Sequence, residues 1–326
     1  FEEALASYNK AIDLEPTLAE AVWNKSTLLL LLGELKEGFA LYHARAALKE
    51  GASDSRPWNR PNLDPDRLFG KSVALSPEQG LGDTLQFSRY AKLLADSGAN
   101  VFLEVQPPLR RLLATMDERI QVVATGESLP QTDLRCPLLD LPDLLGTSLS
   151  SIPDATPYLF AKASGGRSWA LPPSTKKRVG VAWAGNPLHK NDGYRSIPLS
   201  IFSALFEADA DFVAIQKGLR SADREALSKS SNVWVAEENI TDFADTATLI
   251  EHMDLVISVD TSVAHLAGAL GKTTWILLPF MPDYRWLLNR PDSPWYPSVR
   301  LYRQSEDRRW ASVIAKVMAD LQGLID

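Results

Sequence analysis

Cysteine is nearly missing from this chain: Cys136 is the single one in 326 residues. An internal disulfide and a multi-cysteine metal site are thereby excluded, and a reducing, cytoplasmic setting is the expectation. Long apolar runs are missing too. The five leucines at 28–32 fall far short of the ~20 residues that a membrane-spanning helix needs. Positive charge is not in excess either. A formal net charge of −7 gives no basic face to displace phosphate counterions, so a nucleic-acid partner is not expected. No signal peptide is visible, and Phe1 falls inside a helical pattern, so the expectation is a piece of a longer chain.

What is present is a large apolar fraction, 45%, enough for two ordinary domains and a small appendage. Residues 1–50 read as helices. "FEEALASYNKAIDLEP" sets Phe1, Leu5, Tyr8, Ile12 and Leu14 near one face and stops at Pro16, and two more helices follow, broken at Gly33. Ala4, Tyr8, Ala11 and Pro16 resemble the second helix of a tetratricopeptide repeat, and Trp23, Leu32, Gly33, Phe39 and Ala40 resemble a following, atypical one. Such a repeat cannot bury its apolar face alone. The competing reading is a helical cap on the next domain, and a last repeat docked there satisfies both. Residues 51–70, rich in Pro and Asp, read as an extended connector.

An alternation of strands and helices occupies 71–165. The Gly-Gly and Pro-Pro stretch at 161–178 reads as a linker, and the alternation restarts over 175–307. Residues 308–326 close the chain as an amphipathic helix. Alternation of this length implies parallel sheets covered on both faces, with ligands at the C-terminal strand ends in a cleft between two such units.

Gly80 and Gly82 lie between the first strand and its helix. A dinucleotide fingerprint is one reading, with Glu104 as the ribose acid about twenty residues on. The third glycine it needs is occupied by Leu85, whose side chain obstructs the close helix–sheet contact. Asp83 sits at the first turn of that helix. It is either a cap for the helix amides or a general base facing the cleft.

In the second unit, the loop "AWAGNPLHKNDGYRS" after a strand carries Asn186, His189, Lys190 and Arg195, a cation cluster that suits a diphosphate or a solvated surface equally. Gln216 and Lys217 stand at another strand end. Gly271-Lys272-Thr273 resembles the end of a P-loop, but Leu266 replaces a required glycine and the segment runs from helix to strand. It reads as a helix C-cap. Asp260-Thr261-Ser262 runs from a buried strand into a helix, whose unpaired amide hydrogens can hold a phosphate. His265 lies one turn further; alone, it is more often a satisfied, half-buried histidine than a ligand contact.

Four segments, "EQGLGDTLQFSRY", "GVAWAGNP…HKND…RS", "DFADTATLIEHMDLVISVDTSVAHLAGALGK" and "PDYRWLLNRPDSPWYPSVRLYRQ", together resemble tetratricopeptide-linked glycosyltransferases related to the heptosyltransferase family (glycosyltransferase family 9), over roughly 58–320. The resemblance implies an α/β GT-B fold: two Rossmann-like parallel-sheet domains facing a cleft, acceptor on the first, donor on the second, and a last helix crossing back to the first. It implies Asp83 as the catalytic aspartate, with Gln79, Gly80, Gly82, Gln86, Asp283 and Trp286 around the acceptor and sugar. It places the donor motif on Asp260, Thr261, Ser262 and His265, with Ser262 where the family has glycine. Asn186, Lys190, Arg195, Gln216 and Lys217 complete the donor set, Lys190 corresponding best to the phosphate-binding cation.

The implied reaction is inverting glycosyl transfer from a nucleotide-diphosphate sugar to a hydroxyl, without cofactor or metal. The Asp-x-Asp pairs, Asp64 with Asp66 and Asp209 with Asp211, sit in the connector and at a strand entry rather than at a donor site. A protein acceptor held by the repeats is favoured. The alternatives are a glycan or lipid-linked acceptor, and an inactive scaffold. Hydride transfer is disfavoured by Leu85. Trp286, Trp295 and Tyr296 serve either as sugar-stacking faces or as packing anchors.

Overall fold

The computed structural model describes residues 1–48 and 67–325. Most of the expected connector, the end of the helical segment at 49–50, and both Asp64 and Asp66 lie outside the described residues.

Three helices, α1 (Glu2–Leu14), α2 (Ala19–Leu32) and α3 (Leu35–Leu41), lead into a tight turn over Tyr42–Leu48. Gly33 ends α2 with a left-handed φ of 91°, a conformation that glycine adopts without Cβ strain. The first sheet unit then runs β1 (Ser72–Ser76), α4 (Leu81–Phe87), α5 (Arg89–Asp96), β2 (Asn100–Val105), α6 (Arg110–Leu113), β3 (Ile120–Ala124), β4 (Leu134–Pro137) and α7 (Leu141–Leu144). Helices α4 and α5 are separated at Ser88, whose hydroxyl donates back to the Leu85 carbonyl at 3.0 Å and so competes with the helix ladder.

The second unit runs β5 (Arg178–Ala182), α8 (Asp192–Arg195), α9 (Leu199–Phe202), β6 (Asp211–Ala214), α10 (Ser221–Leu227), β7 (Val233–Val235), α11 (Phe243–Glu251), β8 (Leu255–Val259), α12 (Ser262–Ala269), β9 (Thr274–Leu278), β10 (Val299–Arg303) and α13 (Trp310–Ile325). The sheets have orders β3-β2-β1-β4 and β10-β9-β8-β5-β6-β7, and their ladders are parallel. Strands β8 and β9 are buried along their whole length, as expected of parallel strands covered on both faces. In each sheet the strand order reverses at β1 or β5, which pair on both sides, so the loops after them open at a switch in strand order, where α/β folds bind ligands.

One apolar cluster joins the first sheet, the helical segment and the facing side of the second unit. A separate cluster fills the far side of the second sheet and includes Trp310, Val313, Ile314, Val317 and Leu321 of α13. The closing helix therefore packs on its own unit, against α9, residues 203–207 and β10, and does not cross back to the first as the resemblance implied. Its apolar stripe matches Phe202 and Leu205, while Asp320 accepts from the Tyr302 hydroxyl at 2.8 Å and pairs with Arg300 at 2.7 Å.

Candidate active site

Asp83 serves as a cap and faces the second unit at once. Gly80 enters α4 with extended backbone, and its amide donates to Asp83 Oδ2 at 2.7 Å. The other oxygen, Oδ1, is ion-paired with Arg285 Nη2. The Asp83 side chain retains 17% exposure. Burial raises its pKa, and the Arg285 guanidinium and the Gly80 amide act against that rise.

Arg285 is the residue that sequence reasoning missed, although both Asp283 and Trp286 beside it were picked. It stands in a short turn, Tyr284–Trp286, after β9. Asp283 caps that turn, accepting from the Arg285 amide at 3.0 Å and from Nη1 at 2.8 Å. Gln86 Oε1, from the first unit, accepts from Arg285 Nε at 2.8 Å. The fork thus spans three acceptors on two units, the bidentate geometry that suits guanidinium. Burial works against its charge, but Asp283, Tyr284 and Asp83 outweigh it and hold the guanidinium firmly protonated. The available signal was a cation two residues after Asp283 in an otherwise aromatic and apolar run, "DYRWLL".

Across from Asp83 lies the start of α12. Thr261 caps it without a side-chain bond, which leaves amide hydrogens of the first turn available. A Cβ on Gly82 would lie 2.9 Å from His265 Cδ2 and 3.5 Å from Ser262 Cα, so α4 and α12 meet at this glycine. Arg195 Nη1 donates to the Asp260 carbonyl at 3.0 Å. Burial, then the neighbouring Asp283, raise the Asp260 carboxyl to about 6. His265 is buried, 2.9 Å from the Tyr296 hydroxyl through Nδ1, 4.0 Å from Asp260 through Nε2, and stacked on Trp286. Burial, then Arg285, Arg89 and Arg195, hold its pKa well below the usual value, so it is neutral. His189 in the 185–195 loop is lowered by burial and by Arg195, with Asp283 and Asp83 pulling the other way; that loop overhangs the same site.

Other predicted residues have structural work. Gln86 is buried against Arg285 rather than open to an acceptor. Trp286, Trp295 and Tyr296 are buried to 0–1% exposure and are packing anchors rather than sugar platforms. Gln216 is also buried, and its Oε1 accepts from the Trp183 and Ala184 amides at 3.0 and 2.8 Å. Lys217 Nζ donates to the Ile240 carbonyl at 3.1 Å. Asn186 Oδ1 caps its own loop at the Leu188 amide, 3.0 Å away. Lys190 is exposed and makes no ion pair among the described residues. Gln79 and Gly80 are exposed at the loop before α4, Gln79 with a left-handed φ of 57°. Gly271 has φ 70°, and the Gly271 and Lys272 amides donate to the Gly268 and Ala267 carbonyls, so Gly271-Lys272-Thr273 closes α12 as a C-cap. Among the described residues no group of three or more His, Cys, Asp or Glu is placed to hold a metal ion, and no helix is long and apolar enough to cross a membrane.

A sequence profile of glycosyltransferase family 9 (heptosyltransferase) matches residues 223–276, which include Asp260, Thr261, Ser262 and His265. Protein FlbA of Caulobacter vibrioides is 25% identical over 338 residues, covering 94% of this chain; the chain spans 55% of that relative's length. The structure of E. coli ADP-heptose lps heptosyltransferase II superposes with a TM-score of 0.54 at 15% identity, over 78% of this chain and 98% of that one. E. coli heptosyltransferase WaaC with ADP-2-deoxy-2-fluoro heptose gives 0.51 at 12% identity, over 76% and 99%. At such identities the two structures show a shared fold. Together, the family 9 segment and that fold support a glycosyltransferase.

Proposed function

We propose that the chain moves a sugar from a nucleoside diphosphate donor to a hydroxyl acceptor, with inversion at the anomeric carbon and without a metal. One observation carries this reading: a carboxylate on the first unit, Asp83, stands against the N-terminus of α12 on the second, the two meeting at Gly82. Asp83 takes the proton of the acceptor hydroxyl as its oxygen bonds to the anomeric carbon. The bond from that carbon to the diphosphate oxygen breaks, and the nucleoside diphosphate leaves with the electron pair. Its growing charge is met by the amides of the first turn of α12, by Arg195 beside Asp260, and by Lys190 from the overhanging loop. Burial raises the Asp83 pKa, and Arg285 opposes that rise in favour of the carboxylate.

Because Gly82 touches α12 directly, the substrates enter as the two units part. Adenosine diphosphate heptose, the type of donor named for the heptosyltransferase structures, is the first donor to try. The first helices are read as the end of a tetratricopeptide array that presents a protein acceptor. Thermal-shift titration with ADP, GDP and UDP sugars tests the donor reading: a saturable rise with one nucleotide, weakened by Lys190→Ala, is the expected result. NAD stabilising in place of every nucleotide sugar would point to a different enzyme.

A further inference from the structure

The helical segment reaches into the site. Tyr42, 2% exposed, directs its hydroxyl to the two loops on which the site is built. Gln79 Nε2, in the loop before Asp83, lies 3.4 Å from it, and the Tyr284 hydroxyl, adjacent to Arg285, also lies 3.4 Å away. The rings pack as the hydroxyls do. Tyr42 and Tyr284 meet edge-on at 5.7 Å. Phe39 meets Phe87 of α4 at 6.4 Å and Tyr284 at 6.3 Å, both edge-on. The Arg285 guanidinium sits over Tyr284 at 4.4 Å and over Phe87 at 5.5 Å. The segment is fastened in turn by buried Arg45, which pairs with Glu78 and with Asp140 at 2.7 Å and holds the Tyr42 carbonyl at 3.0 Å.

Two side chains of one helical segment therefore touch near neighbours of both partners of an ion pair whose members come from different units: Gln79 and Phe87 beside Asp83, and Tyr284 beside Arg285. A helical cap that served stability alone has no need to meet at that point. We propose that the helical segment is a working part of the site: Tyr42 and Phe39 clasp the loops bearing Asp83 and Arg285 and position that pair. Tyr42 and Phe39 are positioning residues in this account, and their effect on transfer rests on the glycosyl-transfer reading above. The titratable and charged groups facing Asp83 are Arg285 and Asp283 from the turn, Tyr42 from the segment, His189 from the overhanging loop and His265 from α12. Of these, Arg285 favours the ionised form of Asp83, so loosening the clasp leaves the carboxylate easier to protonate.

The test uses the full chain carrying Tyr42→Phe, which removes only the hydroxyl, and separately Phe39→Leu, which keeps an apolar filler. Amide hydrogen exchange is read over residues 79–83 and 284–287, beside kcat, KM and the pH profile of transfer. Exchange is expected to quicken at both loops about tenfold or more in each variant. Where wild-type transfer is detected, kcat should fall about tenfold with little change in donor KM, and the acidic limb of the profile should move to higher pH. Wild-type exchange at both loops in both variants would overturn the clasp, whether or not the protein proves to be a transferase. Faster exchange with kcat and acidic limb unchanged would overturn it as a positioning device. Faster exchange in a protein that transfers no sugar would uphold the clasp and count against the glycosyl-transfer reading.

Discussion

Burial raises both Asp83 and Asp260, and each makes a separate prediction. Asp83 is raised by burial but held by a guanidinium. As a base it acts only when ionised, so transfer should fail on the acid side at a pH above the ordinary carboxylate value of about 4. Arg285→Gln removes the nearest positive charge, and the acidic limb of kcat against pH should then climb further. A downward shift would mean that Arg285 does not govern Asp83. Asp260 bears on stability. Its carboxyl titrates near 6 in the folded chain against 3.8 for an unperturbed aspartate. The folded state holds that proton more tightly, so the group favours folding below about pH 4 and loses this contribution as pH rises through about 6. Asp260→Asn should therefore stabilise the protein at pH 7 by up to roughly 3 kcal/mol, with the gain vanishing at pH 4. Melting curves at the two pH values measure it. A site that retains a carboxylate at such a cost uses it for something other than folding.

Elements were more legible in the sequence than their partners. Parallel strands such as Leu255–Val259 and Thr274–Leu278 are continuous apolar runs, so period and length sufficed to find them. Asp83 and Asp260-Thr261-Ser262 were legible because strand-to-helix turns mark ligand sites in this architecture. Arg285 was not, because its meaning lies in a partner 202 residues away that no spacing rule connects. The docking of α13 was not legible either, since an amphipathic stripe specifies a buried face without specifying against what. Leu321 is fully buried there, and Leu321→Ala should cost about 2–5 kcal/mol, read as a lowered denaturation midpoint of the second unit. Gly82→Ala acts at the α4–α12 contact, where the new methyl meets the buried ring of His265. A loss of about 1–3 kcal/mol from overpacking and a fall in transfer are expected from melting and steady-state kinetics. An alanine variant of wild-type stability and activity would show that the helices do not close at this point.

At the scale of the whole molecule, polar seams flank the apolar cluster that the two units share. Arg89 of the first unit donates to the Trp295 carbonyl at 2.7 Å and to the Pro153 carbonyl at 3.0 Å, and lies over the rings of Tyr158 and Tyr296. At the other side, Arg111 pairs with Asp242 at 2.7 Å and Asp245 at 3.1 Å. Asp242 also caps α11 through the Ala244 amide, so the pair ties an element end of one unit to a helix of the other. The clasp by Tyr42 and Phe39 then makes the helical segment a third member of the site. What the account asserts most centrally is the division of labour across Gly82: general base on one side, diphosphate anchor on the other. Asp83→Asn, assayed for donor binding by calorimetry and for transfer by nucleoside diphosphate release, tests it most directly. The account predicts nucleotide affinity within about threefold of wild type and transfer reduced by about 100-fold or more; transfer at the wild-type rate would contradict it.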